Sequence, residues 1–462
     1  MESIWLKEVS FQKRSALHQN ERADVVIIGA GITGLLTAYF LKEKGIQAVV
    51  LEADCICGGQ TKGTTAKITS QHNLIYDRLI RCYGEEMARY YARMNEWAIG
   101  EYERIVKGKS IDCDFDRCSA NLYSCVEKEV LQKEAEAAKR LGIAARFKTE
   151  CELPFMVKGV LEFQNQARFH PLKFLKEIAK GLTVYEETPV EKVEHHGMGN
   201  NKVVTKNGTV TAGKVIFACH FPFVNLPGYY FARMYQERSY AIAFENAMCP
   251  SGCYLGIDQE GYSFRTEGNL LILGGGSHRT GENSQGGKYD KIRKKARELF
   301  PGCKEVASWS AQDCITLDHI PYIGAFDRKS QDWFVATGFG KWGMTSAMVS
   351  AKVLPEVVDG KEIPEADIFS PQRKISALAM KELAVNTGIT AANFTKQLVS
   401  VNRIKSYTEN DKVFEVSIRC PHLGCKLSWN PDERTWECPC HGSRFDYRGR
   451  LLDNPAQIGI ER

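Results

Sequence analysis

The 462-residue sequence has no long apolar run. No stretch approaches the roughly 20 consecutive apolar residues that a membrane-spanning helix needs. Residues 1–9 contain no apolar segment of signal-peptide length. These absences predict a protein that stays in the cytoplasm and has no membrane span.

An excess of one charge is also missing. The 61 Lys and Arg residues nearly balance the 56 Asp and Glu residues, and the net charge of +5 does not indicate nucleic-acid binding. Twelve of the 16 cysteines are scattered between Cys55 and Cys314 without a pattern of pairs, so most are predicted to be reduced and buried. Only one residue separates Cys55 from Cys57. A bridge between them would be strained, so we interpret the pair as structural.

A glycine motif lies near the start of the chain. Residues 23–28 are an apolar, β-branched run, the sequence G-x-G-x-x-G follows at residues 29–34, and residues 35–44 have a helical pattern. A second predicted strand, residues 47–51, ends at an acidic residue. In this context the glycines allow a tight turn, close approach of a pyrophosphate and close helix packing, and the acid binds a ribose. The predicted dinucleotide contacts are Gly29, Gly31, Thr33, Gly34 and Glu52.

Two further segments favour FAD over NAD as the dinucleotide. A Gly/Thr-rich loop occupies residues 58–67, and a strand at residues 333–337 leads through a Gly-rich turn into a helix at residues 346–358. A second helix N-terminus near the isoalloxazine is expected of a flavoprotein. The sequence contains no second G-x-G-x-x-G, which argues against reductases with two nucleotide sites, and glycine-rich residues 273–281 are predicted to form a hairpin or a domain-crossing loop. The added flavin contacts are Thr64, Thr65, Ala66, Lys67, Gly340, Gly343, Met344 and Thr345.

With these motifs and the D-x-x-P-x-x-G sequence at residues 318–324, residues 23–365 resemble the glycine/D-amino-acid oxidase family of FAD enzymes. The resemblance implies α/β architecture, with a Rossmann-like FAD-binding domain interleaved with an antiparallel-sheet substrate domain. It also implies an amine or amino-acid substrate. Catalytic residues stay unknown. Arg265 is a candidate anchor for a substrate carboxylate and Lys341 a candidate neighbour of the flavin, although a surface salt bridge explains Arg265 equally well.

Cysteine and histidine cluster near the C-terminus in two short loops, C-x-H-x-x-C at residues 420–425 and C-x-C-H at residues 438–441. Each loop offers thiolate and imidazole ligands, which suits a Rieske [2Fe-2S] centre. Zinc also binds short-spaced Cys and His, but an extra Cys after C-x-H is unusual in a zinc loop. The loops, with Ser443 and residues 454–456, resemble the Rieske family. The resemblance implies Cys420, His422, Cys438 and His441 as iron ligands and a disulfide between Cys425 and Cys440.

These readings divide the chain into an FAD-dependent oxidoreductase at residues 1–370, a linker at 371–400 with helices at 372–383 and 391–399, and an abbreviated all-β Rieske domain at 401–462. FAD takes up two electrons and the cluster carries one. We therefore expect a dehydrogenase that oxidises an amine and passes electrons singly to a ferredoxin-like protein or a quinone-linked carrier. Two alternatives stay open: a carrier-fed flavin reductase that works in the opposite direction, and a non-enzymatic redox sensor.

Overall fold

The computed structural model describes residues 2–399 and 403–462, without the side chains of residues 394 and 396–399. Within these residues, two large sheets and a small β domain are connected by helices. The helices are α1 Trp5–Glu8, α2 Ile32–Glu43, α3 Tyr76–Tyr83, α4 Glu85–Gly108, α5 Glu129–Arg140, α6 Pro171–Ile178, α7 Tyr230–Arg233, α8 Lys288–Leu299, α9 Gly343–Val358 and α10 Ala377–Val399.

The strands begin with β1 Glu21–Ile28, β2 Ala48–Leu51, β3 Lys67–Ile68, β4 Asp116–Ser124, β5 Ala145–Lys148, β6 Gly159–Arg168, β7 Thr183–Tyr185 and β8 Val190–His195. They continue with β9 Asn201–Thr205, β10 Thr209–Phe217, β11 Met234–Glu245, β12 Cys253–Gly256, β13 Ser263–Glu267, β14 Leu270–Arg279, β15 Lys304–Thr316, β16 Tyr322–Ala325 and β17 Trp333–Thr337. The C-terminal strands are β18 Ile404–Glu409, β19 Lys412–Ser417, β20 Ser428–Asn430, β21 Thr435–Glu437, β22 Arg444–Asp446 and β23 Leu451–Asp453.

The first sheet forms the predicted nucleotide domain. Its strand order is β16-β17-β10-β1-β2-β7, with β9 and β8 continuing beyond β10, and the strands from β17 to β7 run parallel. Residues 25–28 of β1 are all buried, as expected for a parallel strand covered on both faces. Helices α2 and α9 follow β1 and β17 and pack against each other. Both helices therefore begin at the edge where the parallel strands end, which is where ligands bind in such sheets.

The second sheet, ordered β15-β11-β14-β13-β12-β4-β6-β3, is mainly antiparallel and has two different faces. Side chains alternate along a strand, and directly paired residues share a face. Trp309 pairs with Ala241 on the face toward the nucleotide domain, which we call the cleft face. Gln312 pairs with Arg238 on the opposite face, which we call the outer face.

The C-terminal domain consists of the hairpin β18–β19 and the four-stranded sheet β20–β23. Its core contains Val416, Leu427, Trp436 and Phe445 together with the cysteines of the two ligand loops. The strand predicted before the first ligand loop corresponds to β19. Strand β18 was not predicted from the sequence. The domain lies against the outer face. It also contacts the nucleotide domain directly, because Asn454 Nδ2 donates to the carbonyl of Phe221, which follows β10.

The fold class is confirmed, and one local prediction is wrong. A single helix, α10, runs through residues 386–388 where the sequence suggested a break, because one glycine in a helix costs only about 1 kcal/mol. Residues 273–279 of the glycine-rich segment belong to strand β14, which forms a hairpin with β13, and not to a domain-crossing loop; residues 280–281 follow in a turn. A Cβ at Gly275 would lie 2.9 Å from the Tyr262 ring, so small residues fit this strand. The expected domain boundary at 400–401 lies outside the described residues. In the part of the chain that the structure describes, no helix combines the length and apolar character of a membrane span.

Candidate functional site

The glycine motif forms a closely packed turn at the edge of the first sheet. Gly29 has φ +107°, and a Cβ there would lie 2.7 Å from the carbonyl oxygen of Ala218. A Cβ at Gly34 would collide with the carbonyl of Gly29. Helix α2 follows with Gly31 as its N-cap, and this glycine has no side chain that could cap the N-terminus. The open N-terminus fits the pyrophosphate of a dinucleotide, because its free N–H groups and dipole favour an anion.

Glu52 lies beside this turn, at the end of β2. Its carboxylate accepts hydrogen bonds from the backbone N–H of Ala30 at 2.7 Å and of Asp54 at 3.0 Å. Burial raises the pKa of Glu52. The structure therefore places this carboxylate next to Gly29 and Gly31, and its ribose-binding role stays a prediction.

The Gly/Thr-rich loop crosses from helix α2 to the second sheet. Thr61 Oγ1 accepts a hydrogen bond from the N–H of Ile32 at 3.0 Å, and the Gly63 carbonyl accepts one from Trp309 Nε1 at 3.0 Å. Within its last residues, the Ala66 N–H donates to Thr64 Oγ1 at 2.9 Å. Lys67 then enters β3, and burial lowers its pKa. The predicted contacts Thr64, Thr65, Ala66 and Lys67 thus lie between the two sheets.

The second predicted turn closes the same crevice from the other side. The Gly340 N–H donates to the carbonyl of Cys314 at 2.8 Å, and α9 begins at Gly343 without a side-chain cap. Thr345 Oγ1 donates to the carbonyl of Thr69 at 3.0 Å, and the Met344 carbonyl accepts from Tyr102 at 2.9 Å. These bonds fasten α9 beside β3 and α4. The structure therefore brings both glycine turns and the loop together, and the residues fit FAD.

The candidate anchor Arg265 is buried in the core and is not a surface residue. Only 1% of it is exposed, and its Nη2 donates to the Phe169 carbonyl and to Glu267, both at 2.8 Å. Its guanidinium stacks over Trp5 at 5.0 Å. Its Nε and Nη1 have no hydrogen-bond partner among the described residues. Two buried donors on the cleft face are therefore available to a ligand.

Lys341, the second candidate, lies at the rim of the cleft. Its Nζ donates to Ser277 Oγ at 2.7 Å and forms an ion pair with Glu237 at 3.2 Å. Just over a third of its side chain is exposed. Lys341 thus presents a positive charge beside the Gly340 turn.

The sequence interpretation missed Asp313. This residue lies on the cleft face of β15, one position before Cys314, whose carbonyl holds Gly340. Burial raises the pKa of Asp313 to about 7, although Lys341 opposes the shift. An acid with such a pKa in a cleft is a candidate proton acceptor. The one sequence feature that could have indicated Asp313 was its position as a carboxylate on the same strand face as Trp309 and Ile315.

The two ligand loops have matching backbone geometry. The Cys420 N–H donates to the Cys425 carbonyl at 2.9 Å, and the Cys438 N–H donates to the Ser443 carbonyl at 2.8 Å. Gly424 and Gly442 occupy equivalent turn positions with φ +84° and +87°. The two turns bring the candidate ligand side chains of both loops together.

The two histidines lie close together, and each has one ring nitrogen without a partner in the part of the chain that the structure describes. The rings of His422 and His441 lie 4.9 Å apart at 88°, and neither Nδ1 has a hydrogen-bond partner among the described residues. His422 Nε2 donates to Asn225 Oδ1 at 2.8 Å, which leaves its Nδ1 as the basic nitrogen. Burial lowers the pKa of His422 to about 4 and that of His441 to about 3. Neutral imidazoles with buried, unpaired nitrogens fit a metal centre.

The cysteines are equally suited to that centre. Cys420 and Cys438 are buried, and the neighbouring Cys438 thiol and the backbone N–H of His422 lower the pKa of the Cys420 thiol to about 7. A disulfide joins Cys425 to Cys440. The sulfurs of these two residues and of Cys438 lie within 4.8 Å of one another, but the disulfide removes two of them from metal binding. Two Cys and two His stay available, which is the ligand set of a Rieske [2Fe-2S] cluster.

The second ligand loop packs directly against the outer face. Gln236 Nε2 donates to the His441 carbonyl at 2.7 Å, and Gln312 Nε2 donates to the Gly442 carbonyl at 2.8 Å. A Cβ at Gly442 would lie 2.6 Å from the Cβ of Gln236, so only glycine permits this approach. The His441 ring is 3% exposed and lies 5.7 Å from the ring of Phe231.

A buried ion network strengthens the same contact. Glu433 pairs with Arg238 of β11 and with Arg444 of the C-terminal domain, and Ser310 Oγ donates to it at 2.7 Å. Burial would raise the pKa of Glu433, but the two guanidinium groups outweigh that effect and lower it to about 2. The charged carboxylate thus joins the two domains.

Gln60 links the two candidate sites. It belongs to the Gly/Thr-rich loop, accepts a hydrogen bond from the N–H of Gln312 at 2.7 Å and donates to Asp453 Oδ1 at 2.6 Å. The loop predicted to surround the flavin therefore contacts the C-terminal domain through one side chain.

Comparisons with known proteins indicate the same two cofactors. The family model described as FAD dependent oxidoreductase matches residues 24–356, and that of the Rieske [2Fe-2S] domain matches residues 375–461. The "Putative Rieske 2Fe-2S iron-sulfur protein YhfW" of Bacillus subtilis is 36% identical over 98% of this chain and 96% of its own length. The gamma-glutamylputrescine oxidoreductase of Escherichia coli is 24% identical over 74% of this chain and 85% of its own. Glycine oxidase from Geobacillus kaustophilus superposes with a TM-score of 0.65 at 18% identity, covering 77% of this chain and all of that one.

Proposed function

Since the chain belongs to the FAD-dependent oxidoreductase family and carries a Rieske [2Fe-2S] domain, we propose that it is a dehydrogenase of an amine or amino-acid substrate that delivers electrons singly to an external acceptor. When bound, FAD takes two electrons as a hydride and the Rieske cluster carries one. The observation that carries the proposal is the position of the two sites on opposite faces of β11 and β15. The amine substrate is supported by relatives whose names specify glycine and gamma-glutamylputrescine.

We assign the metal ligands to Cys420, His422, Cys438 and His441. The unpaired Nδ1 atoms and the buried thiols support this set. For FAD, the turn at Gly29 and the open N-terminus of α2 would hold the pyrophosphate, and Glu52 the ribose. The division into an oxidoreductase unit at 1–370, a connector at 371–400 and a Rieske domain at 401–462, and a cytoplasmic location, are parts of the same proposal.

Within the cleft, Asp313 and Lys341 have complementary roles. An amine yields a hydride readily only as the neutral base, and Asp313 is placed to accept the proton of the substrate ammonium group. Lys341, on the neighbouring turn, supplies a positive charge for a substrate carboxylate. The imine that results would hydrolyse in water to a carbonyl compound and ammonia or a smaller amine.

Anaerobic mixing with a panel of amines and amino acids tests the proposal. We expect one class to bleach the flavin absorbance, followed by the EPR signal of a reduced Rieske cluster. Iron, acid-labile sulfide and flavin would be measured per chain on the same sample, and zinc in place of iron and sulfide would contradict the ligand assignment. Reduction of both cofactors by a carrier protein, with no response to any amine, would support electron flow in the opposite direction.

A further inference from the structure

Acidic and basic residues are distributed unequally between the side of the C-terminal domain that contacts the flavin-binding unit and the side that faces the solvent. Four acidic side chains face the flavin-binding unit or bond to Arg444: Asp432, Glu433, Glu437 and Asp453. Asp432, for example, accepts hydrogen bonds from the N–H groups of Gly287 and Lys288, both at 2.9 Å. Nearly half of the domain's acidic groups are therefore used in docking, while Arg444 is the one basic side chain on that side among the described residues 403–462.

The outward side is basic as a result. Its basic side chains are Arg403, Lys405, Lys412, Arg419, Lys426, Arg434, Arg448, Arg450 and Arg462, and its acidic ones are Glu409, Asp411, Glu415, Asp446 and Glu461. Arg434 forms an ion pair with Glu409. Most of the other basic groups on this side have no carboxylate partner among the described residues. The domain thus presents net positive charge to the solvent.

A groove on this side reaches the first ligand loop. It has a volume of about 470 Å³ and is lined by Cys420, His422 and Leu423 and by the charged residues Arg419, Arg462 and Glu461. The exposed Arg403 lies close by, because its carbonyl accepts a hydrogen bond from Ile418. Leu423 and Ile458 add exposed apolar surface next to it.

The other ligand histidine offers no such access. His441 is buried against Phe231 and the outer face of the sheet. His422 is half-buried, and its Nε2 is bonded to Asn225, whose neighbours Leu226 and Tyr229 are exposed. The groove beside Cys420 and His422 is therefore the short path between the metal centre and a molecule in solution.

We propose that this groove docks a small acidic one-electron carrier protein. The inference rests on the proposed function, in which electrons pass singly between the cluster and an external partner, and it names the chemistry of that partner. An apolar spot rimmed by arginines suits a transient redox contact, because opposite charge accelerates encounter without requiring a large interface. One electron moves from the donor's reduced centre to the acceptor's oxidised centre, and no bond is made or broken.

The test uses the holoprotein and reduced plant-type ferredoxin, an acidic carrier whose potential lies below that of Rieske centres. Ferredoxin gives up one electron and the oxidised cluster takes it, so the docking surface is tested whether or not any amine is a substrate. Stopped-flow absorbance of the cluster gives the second-order rate constant. We expect Arg419→Glu/Arg462→Glu to lower it about tenfold at low ionic strength and the loss to disappear at high salt.

Lys412→Glu is the matched control. It reverses an exposed charge at the far end of β19, five residues from Ser417 in the groove, or about 16 Å along a strand. We expect its rate to stay within twofold of the parent, and an unchanged Rieske EPR signal to show that the double variant is folded. Equal rates in parent and double variant, or an equal loss in Lys412→Glu, would overturn the proposal. Faster exchange with a water-soluble quinone than with ferredoxin, unaffected by the double variant, would overturn it as well.

Discussion

The two faces of the second sheet carry different kinds of polar group. On the outer face, Gln236, Arg238 and Gln312 are bonded to the C-terminal domain. On the cleft face, Arg265 has two buried nitrogens without partners among the described residues, and Asp313 has a raised pKa. Buried polar groups are normally paired, so unpaired ones mark a site that a ligand completes. The outer face is thus paired with the C-terminal domain, and the unpaired groups of the cleft face support the proposed substrate site.

Adjacent residues of one strand serve these two purposes. Gln312 donates to the backbone of the second ligand loop, while Asp313 points into the cleft. A single strand thus lies between the candidate metal centre and the cleft. The predictions that follow test whether the two faces are as independent as this arrangement implies.

Removing a metal ligand should abolish cluster binding without affecting FAD binding. We expect Cys438→Ala to lose iron and acid-labile sulfide completely while it retains FAD, because the flavin contacts lie on the other side of the sheet. Metal and flavin analysis with EPR measures both. Cys113→Ala, at another buried cysteine, should retain both cofactors. Loss of FAD together with iron would show that the faces are coupled.

Changing the cleft should leave the metal centre intact. We expect Asp313→Asn to lower kcat/KM for the amine roughly 100-fold or more. In the parent protein kcat/KM should rise as the pH increases through about 7, because only the deprotonated carboxylate accepts a proton. The variant should lose that rise and retain the Rieske EPR signal. Asp290→Asn, at an exposed acid, should change neither kcat/KM nor its pH dependence. A pH profile unchanged in Asp313→Asn would exclude the role.

Short-range patterns predicted much of both sites. The G-x-G-x-x-G turn and the ligand loops are local, because the spacing of a few residues determines their backbone geometry. The contact between the domains has no such signal. Arg238 and Glu433 are 195 positions apart, and neither residue is unusual in its own segment. Asp313 was missed for the same reason, since its raised pKa comes from burial by distant elements.

Breaking the outer-face ion pair should weaken the docked state. We expect Arg238→Ala to lower the free energy of unfolding by about 3 kcal/mol, because it leaves the buried Glu433 carboxylate with Arg444 as its one positively charged partner among the described residues. Urea unfolding measures the change, and Arg293→Ala, in a partly exposed pair at the surface, should cost no more than about 1 kcal/mol. If Arg238→Ala lost no more stability than this control, docking of the C-terminal domain on the outer face would not depend on the Arg238–Glu433 pair.

The same pair predicts a pH dependence. The pKa of Glu433 in the folded protein, about 2, lies below its ordinary value of 4.5. Its contribution to stability is therefore complete above about pH 4.5 and declines as the pH falls toward 2. Arg238→Ala should show a smaller decline across this interval, and an identical decline in both proteins would contradict the assignment.

The smallest expected effect lies inside the metal centre. Ser443 is buried, and its Oγ accepts a hydrogen bond from the Ala456 N–H at 2.9 Å, which leaves the hydroxyl proton available to a ligand sulfur. A hydrogen bond to a ligand sulfur stabilises the reduced, more negative cluster and raises its potential. We expect Ser443→Ala to lower the potential by roughly 40 mV, the equivalent of a hydrogen bond of about 1 kcal/mol for one electron. A redox titration followed by EPR measures it, with Ser406→Ala on the exposed strand β18 as the control. An unchanged potential in Ser443→Ala would mean that the buried surroundings alone determine it.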